Sequence, residues 1–119
     1  MNATLYQYPK CSTCRKAAAL LRSLGVVFES IDLVETPPSV ATLRVLHERS
    51  GLDIRKLFNV SGQSYRAGGF KDRLPNMDLE EALEALAADG KLIKRPILVT
   101  DEQVLVGFDE DAYRTLVEG

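Results

Sequence analysis

Hydrophobic and polar positions alternate or recur with helical spacing over short stretches of the chain. Ala3 to Tyr8 has the aromatic and β-branched character of a strand. From about Ser12 to Leu24, apolar side chains recur every three or four residues, which predicts a helix with Gly25 just beyond its end. Val26 to Leu33 is a second predicted strand. Two strands joined by a helix of this length predict a β-α-β unit with parallel strands and a right-handed crossover.

The middle of the chain has helical rather than strand periodicity. After the break at Glu35 to Pro38, the pattern from Ser39 to about Ser50 predicts a second helix that Gly51 ends. Asp53 can cap a short helical turn after it. Asn59 to Asn76 is the least regular region, with Ser-Gly and Gly-Gly turn signals and several basic residues. It is either a mobile rim that brings positive charge to a site or a solvated connector.

The last part of the chain combines one clear helix with a hairpin. Asp78 begins a capping-box pattern and an amphipathic helix that Gly90 closes. Leu92-Ile93 and Ile97 to Thr100 predict strand, and Val104 to Phe108 predicts its hairpin partner. Asp109 is placed to cap a closing helix.

This order of elements predicts an α/β fold with a thioredoxin-like (glutaredoxin-like) core and an inserted helical subdomain. The core takes about residues 1–34 and 90–119, and the insertion takes about residues 35–89. With 119 residues and no linker or repeat, we expect a single thioredoxin-like domain over residues 1–119.

Composition and charge limit the classes of binding partner and the cellular location that we expect. The formal net charge of −2 and a pI of about 5.4 give no general attraction to nucleic acid or to anionic membranes. The sequence has no leader-like apolar region and no apolar run near the roughly 20 residues of a membrane span. We therefore expect a cytoplasmic protein, a monomer, in which a permanent structural disulfide would be unusual.

The two cysteines are the main candidate for chemistry. Cys11 falls at or just before the N-terminus of the first predicted helix, where unpaired N–H groups and the helix dipole stabilise an anion. Lys10, Arg15 and Lys16 add positive charge, so we predict a lowered pKa for the Cys11 thiol. Cys14, one turn later, is expected to be less exposed and to have a higher pKa. That asymmetry suits one attacking and one resolving thiol.

Two other interpretations of the cysteine pair are weaker. A zinc site would lack ligands, because only His47 adds to the two thiols and structural zinc sites take four Cys or His side chains. Two small apolar residues that happen to be close would not explain their position between a strand and a helix. No metal is therefore expected.

Pro96 points to the same site from the other end of the chain. A proline at the start of a strand removes a ladder hydrogen bond, so it requires an edge, a bulge or a cis peptide bond. In thioredoxin-like folds a cis-proline faces the reactive thiol. Arg95 could then direct its guanidinium at Cys11 or at an oxyanion bound there. The alternative is a surface side chain at a strand end.

Several segments together resemble the arsenate-reductase-like family, which also contains the Spx regulators. The resemblance covers essentially the whole chain and is carried by Tyr8–Ala17, Leu57–Gly62, Lys71–Pro75, Asp89-Gly90 followed by Leu92–Pro96, and Val106–Phe108. It implies a thioredoxin-like core with a helical subdomain, Cys11 as the nucleophile and Arg95 close to it. The candidate catalytic residues are Cys11, Cys14 and Arg95, and the candidate substrate-binding residues are Lys10, Ser12, Thr13, Arg15, Arg95 and Pro96.

The sequence also departs from that family. Its glutaredoxin-linked arsenate reductases have a serine three residues after the nucleophile and hold the oxyanion with three arginines. Here the position three residues after Cys11 is Cys14. Of the family's three arginines, only one has a counterpart in this sequence, which is Arg95. The other two fall near Asn59 and within Val106–Phe108. Losing two guanidinium donors removes charge-assisted hydrogen bonds worth on the order of 1.5 to 3 kcal/mol each.

Three functional hypotheses follow. The first is a thiol-disulfide oxidoreductase with no bound cofactor, reduced by glutathione or by a thioredoxin- or glutaredoxin-type protein. The second is an Spx-type redox switch, which the resemblance implies would bind the RNA polymerase α-subunit; Gly51 falls near the glycine of that contact but also explains the end of a helix. The third is a glutaredoxin-linked arsenate reductase with a modified oxyanion site.

Overall fold

The computed structural model describes residues 1–119, in which strand, helix and strand are followed by a helical middle, a hairpin and a last helix. The four strands are β1 (Ala3–Gln7), β2 (Glu29–Asp32), β3 (Ile97–Thr100) and β4 (Val104–Val106). The six α-helices are α1 (Ser12–Ser23), α2 (Val40–Ser50), α3 (Gln63–Ala67), α4 (Phe70–Arg73), α5 (Leu79–Ala88) and α6 (Glu110–Glu118). Short 3-10 turns occupy Ile54–Leu57, Leu74–Asn76 and Gly90–Leu92.

The strands form one sheet in the order β2-β1-β3-β4. β1 runs parallel to β2, with Leu5 opposite Ser30, and antiparallel to β3, with Leu5 opposite Leu98. β3 and β4 form the antiparallel hairpin, in which Leu98 lies opposite Leu105. A parallel β-α-β unit followed by an antiparallel hairpin and a helix is the predicted thioredoxin-like α/β arrangement, which is confirmed.

The chain divides into two compact units, and the first contains the sheet. It consists of Met1–Asp32 and Arg95–Gly119. Its core forms because α1 and α6 each bury one face with helical spacing. The buried members are Leu5, Ala17, Ala18, Leu20, Leu21, Leu98, Tyr113 and Leu116. This core fixes the start of α1 relative to the sheet.

The second unit, Leu33–Lys94, is helical. Ser39 caps α2, since its hydroxyl accepts a hydrogen bond from the Thr42 N–H at 3.1 Å, and Gly51 ends the helix with a φ of 69°. Asp78 and Glu81 form the predicted capping box of α5. The bounds of the two units lie close to the predicted core and insertion, while the assignment of a single domain remains a prediction.

Two local predictions were wrong. Residues 59–76 were expected to be irregular, but they form α3, α4 and a 3-10 turn, with Phe70 and Leu74 buried. Leu92-Ile93 was expected to be strand, but Leu92 ends a 3-10 turn that Asp89 caps by accepting from the Lys91 N–H, and Ile93 forms only an isolated antiparallel bridge with Phe58. Elements of three to five residues are too short to show a period in the sequence.

The second predicted strand is shorter than expected. It begins at Glu29 rather than Val26, and Val27 is 88% exposed.

No helix of the structure is both long enough and apolar enough to cross a membrane.

Candidate active site

The turn between β1 and α1 places Cys11 at the N-cap of the helix. The Cys11 backbone N–H donates to the Tyr8 carbonyl at 2.9 Å, and the Cys11 carbonyl accepts from the Arg15 N–H at 3.1 Å. The Cys11 Sγ in turn accepts from the Cys14 backbone N–H at 3.4 Å. The sulfur therefore occupies the position of a capping oxygen, where an anion is stabilised by unpaired helix N–H groups.

Arg95 lies just before β3 and acts on the same sulfur. Its hydrogen-bonding capacity and its charge both lower the pKa of Cys11, and its guanidinium carbon lies 5.1 Å from the centre of the Tyr8 ring. The Nη1 atom of Arg95 is buried and has no hydrogen-bond partner. A buried cationic donor without an acceptor is suited to a bound anion, because an unmade hydrogen bond to a charged group is costly.

Pro96 directly follows Arg95 and is anchored to the loop after β4. The Arg95–Pro96 peptide bond is cis, which is one of the three arrangements expected for this proline. Pro96 is buried, and its carbonyl accepts from the Gly107 N–H at 2.8 Å. Gly107 has a φ of 82°, a conformation in which glycine carries no Cβ penalty.

The pKa of the Cys11 thiol is lowered, as predicted. Partial burial, the largest single effect, would raise it, but hydrogen bonds from the Cys14 side chain and the Cys14 N–H, together with the hydrogen bonding and the charge of Arg95, outweigh burial. The sequence analysis attributed this stabilisation to the helix N-terminus and to the basic residues around the motif. In the structure the acting cation is Arg95.

The Cys14 thiol has the opposite character. Its side chain is fully buried on the inner face of α1, and its pKa is raised to about 12. Burial is the largest cause, and the neighbouring Cys11 thiolate raises it further through a hydrogen bond and through its charge. The Tyr8 backbone N–H and the Arg95 charge act against this rise. Both cysteines are free thiols in this structure.

The other candidate residues of the motif lie on the outer surface of the same turn. Lys10, Ser12, Thr13 and Arg15 are exposed. The Arg15 guanidinium donates to the Pro9 carbonyl at 2.9 Å and so braces the turn. The substrate-binding role of these four residues remains a prediction.

Sequence reasoning missed the contribution of Tyr8 to the site. Its ring lies under the guanidinium of Arg95. Its backbone carbonyl accepts a hydrogen bond from the Cys11 N–H, and its backbone N–H lowers the pKa of Cys14. The position of Tyr8 directly before the cysteine turn was the available signal. No group of three or more His, Cys, Asp or Glu side chains that could hold a metal ion occurs in the structure.

Comparisons with known proteins show which family the sequence resembles. The sequence model of the ArsC family matches residues 6–116. The chain is 49% identical to the uncharacterized protein YusI of Bacillus subtilis over 95% of its length and 96% of that protein. It is 30% identical to an arsenate reductase of Neisseria meningitidis, with 87% of each chain covered.

Regulators and solved structures are also among the similar proteins. A global transcriptional regulator Spx of Enterococcus faecalis is 28% identical over 93% of this chain and 83% of the regulator. The crystal structure of a possible arsenate reductase from Streptococcus mutans superimposes with a TM-score of 0.85 at 47% identity, covering 93% of this chain and 97% of the other.

Proposed function

The chain belongs to the ArsC family, and we propose that it is a thiol-disulfide oxidoreductase in which Cys11 attacks and Cys14 resolves. One observation carries this proposal. Two thiols at one helix N-terminus have pKa values moved in opposite directions, lowered for Cys11 and raised for Cys14. A half-buried nucleophile next to a fully buried partner is the arrangement that a two-step exchange requires.

In the first step, the Cys11 thiolate attacks one sulfur of a disulfide R–S–S–R′. A Cys11–S–S–R bond forms, the R–S–S–R′ bond breaks, and R′–S⁻ leaves and takes a proton from water. Arg95 and the Cys14 N–H stabilise the attacking anion before this step. Once the mixed disulfide has formed, Cys11 no longer carries a negative charge.

That loss of charge prepares the second step. The hydrogen bond and the charge through which Cys11 raised the pKa of Cys14 are gone, while the Tyr8 N–H and the Arg95 charge that lower it remain. Cys14 then loses its proton to solvent and attacks the Cys11 sulfur. R–S⁻ leaves and takes a proton from water, and the two electrons that Cys11 and Cys14 lose in forming their disulfide have reduced R–S–S–R′ to two thiols.

A thiol reductant completes the cycle. Two molecules of a monothiol such as glutathione, or one dithiol protein of the thioredoxin or glutaredoxin type, return two electrons and two protons to the protein disulfide. No bound cofactor is required by this scheme.

The test compares Cys11→Ser with Cys14→Ser, a matched pair because each removes one sulfur from the same turn. Reduced proteins are mixed with glutathione disulfide, quenched with acid and followed by intact mass. The wild type should pass through one glutathione adduct and end as an intramolecular disulfide. Cys14→Ser should stop at the adduct, and Cys11→Ser should form none. Equal residual turnover in the two variants would contradict the assignment of roles.

A redox-sensing regulator is the second candidate, favoured by the similarity to the Spx regulator over 93% of this chain. The partner that the resemblance implies is the C-terminal domain of the RNA polymerase α-subunit. A pull-down with that purified domain, with and without a reductant, tests the idea. The Cys11→Ser/Cys14→Ser double variant is the control, because it cannot form the disulfide that would alter binding.

Arsenate reduction is the third candidate, favoured by the unpartnered Nη1 of Arg95 and the 30% identity to an arsenate reductase. The assay is arsenate-dependent NADPH oxidation coupled to glutaredoxin or thioredoxin. Activity that survives in Arg95→Ala would contradict an oxyanion role for this arginine.

A further inference from the structure

The hydroxyl of Tyr113 is a buried polar group that the proposed exchange leaves without a role. Tyr113 belongs to α6 and is fully buried among the apolar side chains of the first unit. Phe108 packs edge-on against its ring, with ring centres 5.0 Å apart at 90°. The hydroxyl has no hydrogen-bond partner. Leaving such a group unpaired is costly, so a phenylalanine would be expected here unless the oxygen serves another state of the protein.

The ionisable group that influences the pKa of this hydroxyl is Cys14. Tyr113 packs in the core that contains Ala17, Ala18 and Leu21, the residues of α1 that continue the buried face on which Cys14 lies. Burial raises the pKa of the Tyr113 hydroxyl, and the charge of the Cys14 thiolate raises it further. The hydroxyl therefore keeps its proton and remains available as a donor, and its lack of a partner in the reduced structure leaves it free to respond to charge on this face of α1.

We propose that the Tyr113 hydroxyl is the internal hydrogen-bond donor for the Cys14 sulfur when that sulfur becomes a thiolate. The inference rests on the proposed thiol-disulfide exchange, which it deepens. The groups that act on Cys14 in the reduced structure are the Cys11 sulfur, the Tyr8 N–H and the Arg95 charge. In our proposal Tyr113, on α6, adds a fourth group from the buried interior.

Tyr113 donates a hydrogen bond in this scheme and transfers no proton. In the forward direction, Cys14–SH loses its proton to solvent, the thiolate attacks Cys11–S–S–R, and R–S⁻ leaves. In the reverse direction, a reductant thiolate attacks the Cys11 sulfur of the protein disulfide, and the Cys14 thiolate is the leaving group. The donor stabilises the Cys14 thiolate in both directions, which is a positioning and electrostatic effect on a sulfur that no substrate reaches directly.

The test removes only the oxygen, with Tyr113→Phe. In a Cys11→Ser background, Cys14 is the single cysteine, and its thiolate fraction is followed by the ¹³Cβ chemical shift over the alkaline range in which the protein stays folded. Removing a hydrogen bond to a charged group should raise the Cys14 pKa by about one to two units, so the thiolate fraction below the midpoint should fall at least tenfold. Tyr65→Phe, in the other unit, is the matched control and should leave the curve in place.

A second readout uses both cysteines at neutral pH, by rapid quench of the Cys11–glutathione mixed disulfide as it closes. Each unit of pKa lowers the thiolate fraction tenfold but raises its nucleophilicity about threefold, so closure in Tyr113→Phe should slow by about three- to tenfold. An unchanged Cys14 titration in the Cys11→Ser background would overturn the inference. If the titration shifts but the wild type never closes its disulfide, the donor role stands and the proposed exchange fails.

Discussion

Replacing Arg95 with alanine should raise the pKa of Cys11 and so lower its thiolate fraction at neutral pH. The side chain supplies one hydrogen bond and one positive charge to the sulfur. A hydrogen bond to a charged group is worth about 1.5 to 3 kcal/mol, which is about a tenfold to hundredfold change in the ratio of thiolate to thiol. Because Cys11 is partly exposed, solvent screens the interaction, and we take the lower end of that range. The Cys14 N–H and side chain remain in the variant, so part of the lowering should persist.

The assay is the rate of Cys11 alkylation by iodoacetamide as a function of pH. Below the midpoint, Arg95→Ala should react about threefold more slowly than the wild type. Above both midpoints it should react about threefold faster, because a more basic thiolate is the better nucleophile. The two profiles should therefore cross.

Arg22→Ala is the control for loss of one positive charge. Arg22 lies at the far end of α1, where its guanidinium carbon is 5.5 Å from the centre of the Phe28 ring. Its profile should follow that of the wild type. Superimposable profiles for Arg95→Ala and the wild type, or an equal shift in Arg22→Ala, would refute the role given to Arg95.

Two further predictions concern stability, measured by urea unfolding of the reduced protein. Cys14 is buried as a neutral thiol, and its pKa in the folded state, about 12, lies above its ordinary value of 9.0. The stability that Cys14 contributes is therefore fully present below pH 9 and is lost as the pH rises towards 12. Relative to Cys14→Ala, the wild type should lose about 1.4 kcal/mol per pH unit between pH 9 and 11, and parallel curves would contradict the raised pKa. Gly90→Ala should lower the free energy of unfolding by about 1 to 3 kcal/mol or more, because the added Cβ would overlap the backbone carbonyl of Leu33. In the comparison variant Gly25→Ala, the added Cβ meets no atom within 4 Å, so any loss of stability there reports the positive φ alone.

The cysteine turn could be predicted from the sequence because its determinants are local. A strand pattern, two cysteines and a long helical period stand next to each other, so the capping position of Cys11 and the burial of Cys14 follow from spacing alone. Arg95 is remote in the sequence, and Pro96 is what drew attention to it. A proline at a strand start requires an edge, a bulge or a cis peptide bond, and in the structure this bond is cis and the preceding arginine acts on Cys11.

The features that the sequence did not predict depend on contacts between segments that have no helical or strand periodicity. The rings of Phe58, Tyr65 and Phe70 lie with centres 5.8 to 6.4 Å apart, and this cluster organises the short helices that looked irregular in the sequence. Tyr113 had the pattern of an ordinary core residue of α6. Only the structure shows that its hydroxyl is unpaired and that the charge of Cys14 acts on it.

The most direct test of the central claim is the equilibrium of the purified, reduced protein with a glutathione redox buffer, read by intact mass. The account predicts a loss of about 2 Da as Cys11 and Cys14 close into a disulfide, with a midpoint near the potentials of known cytosolic thiol couples. A persistent single glutathione adduct on Cys11, with Cys14 never closing, would contradict it and would indicate monothiol chemistry.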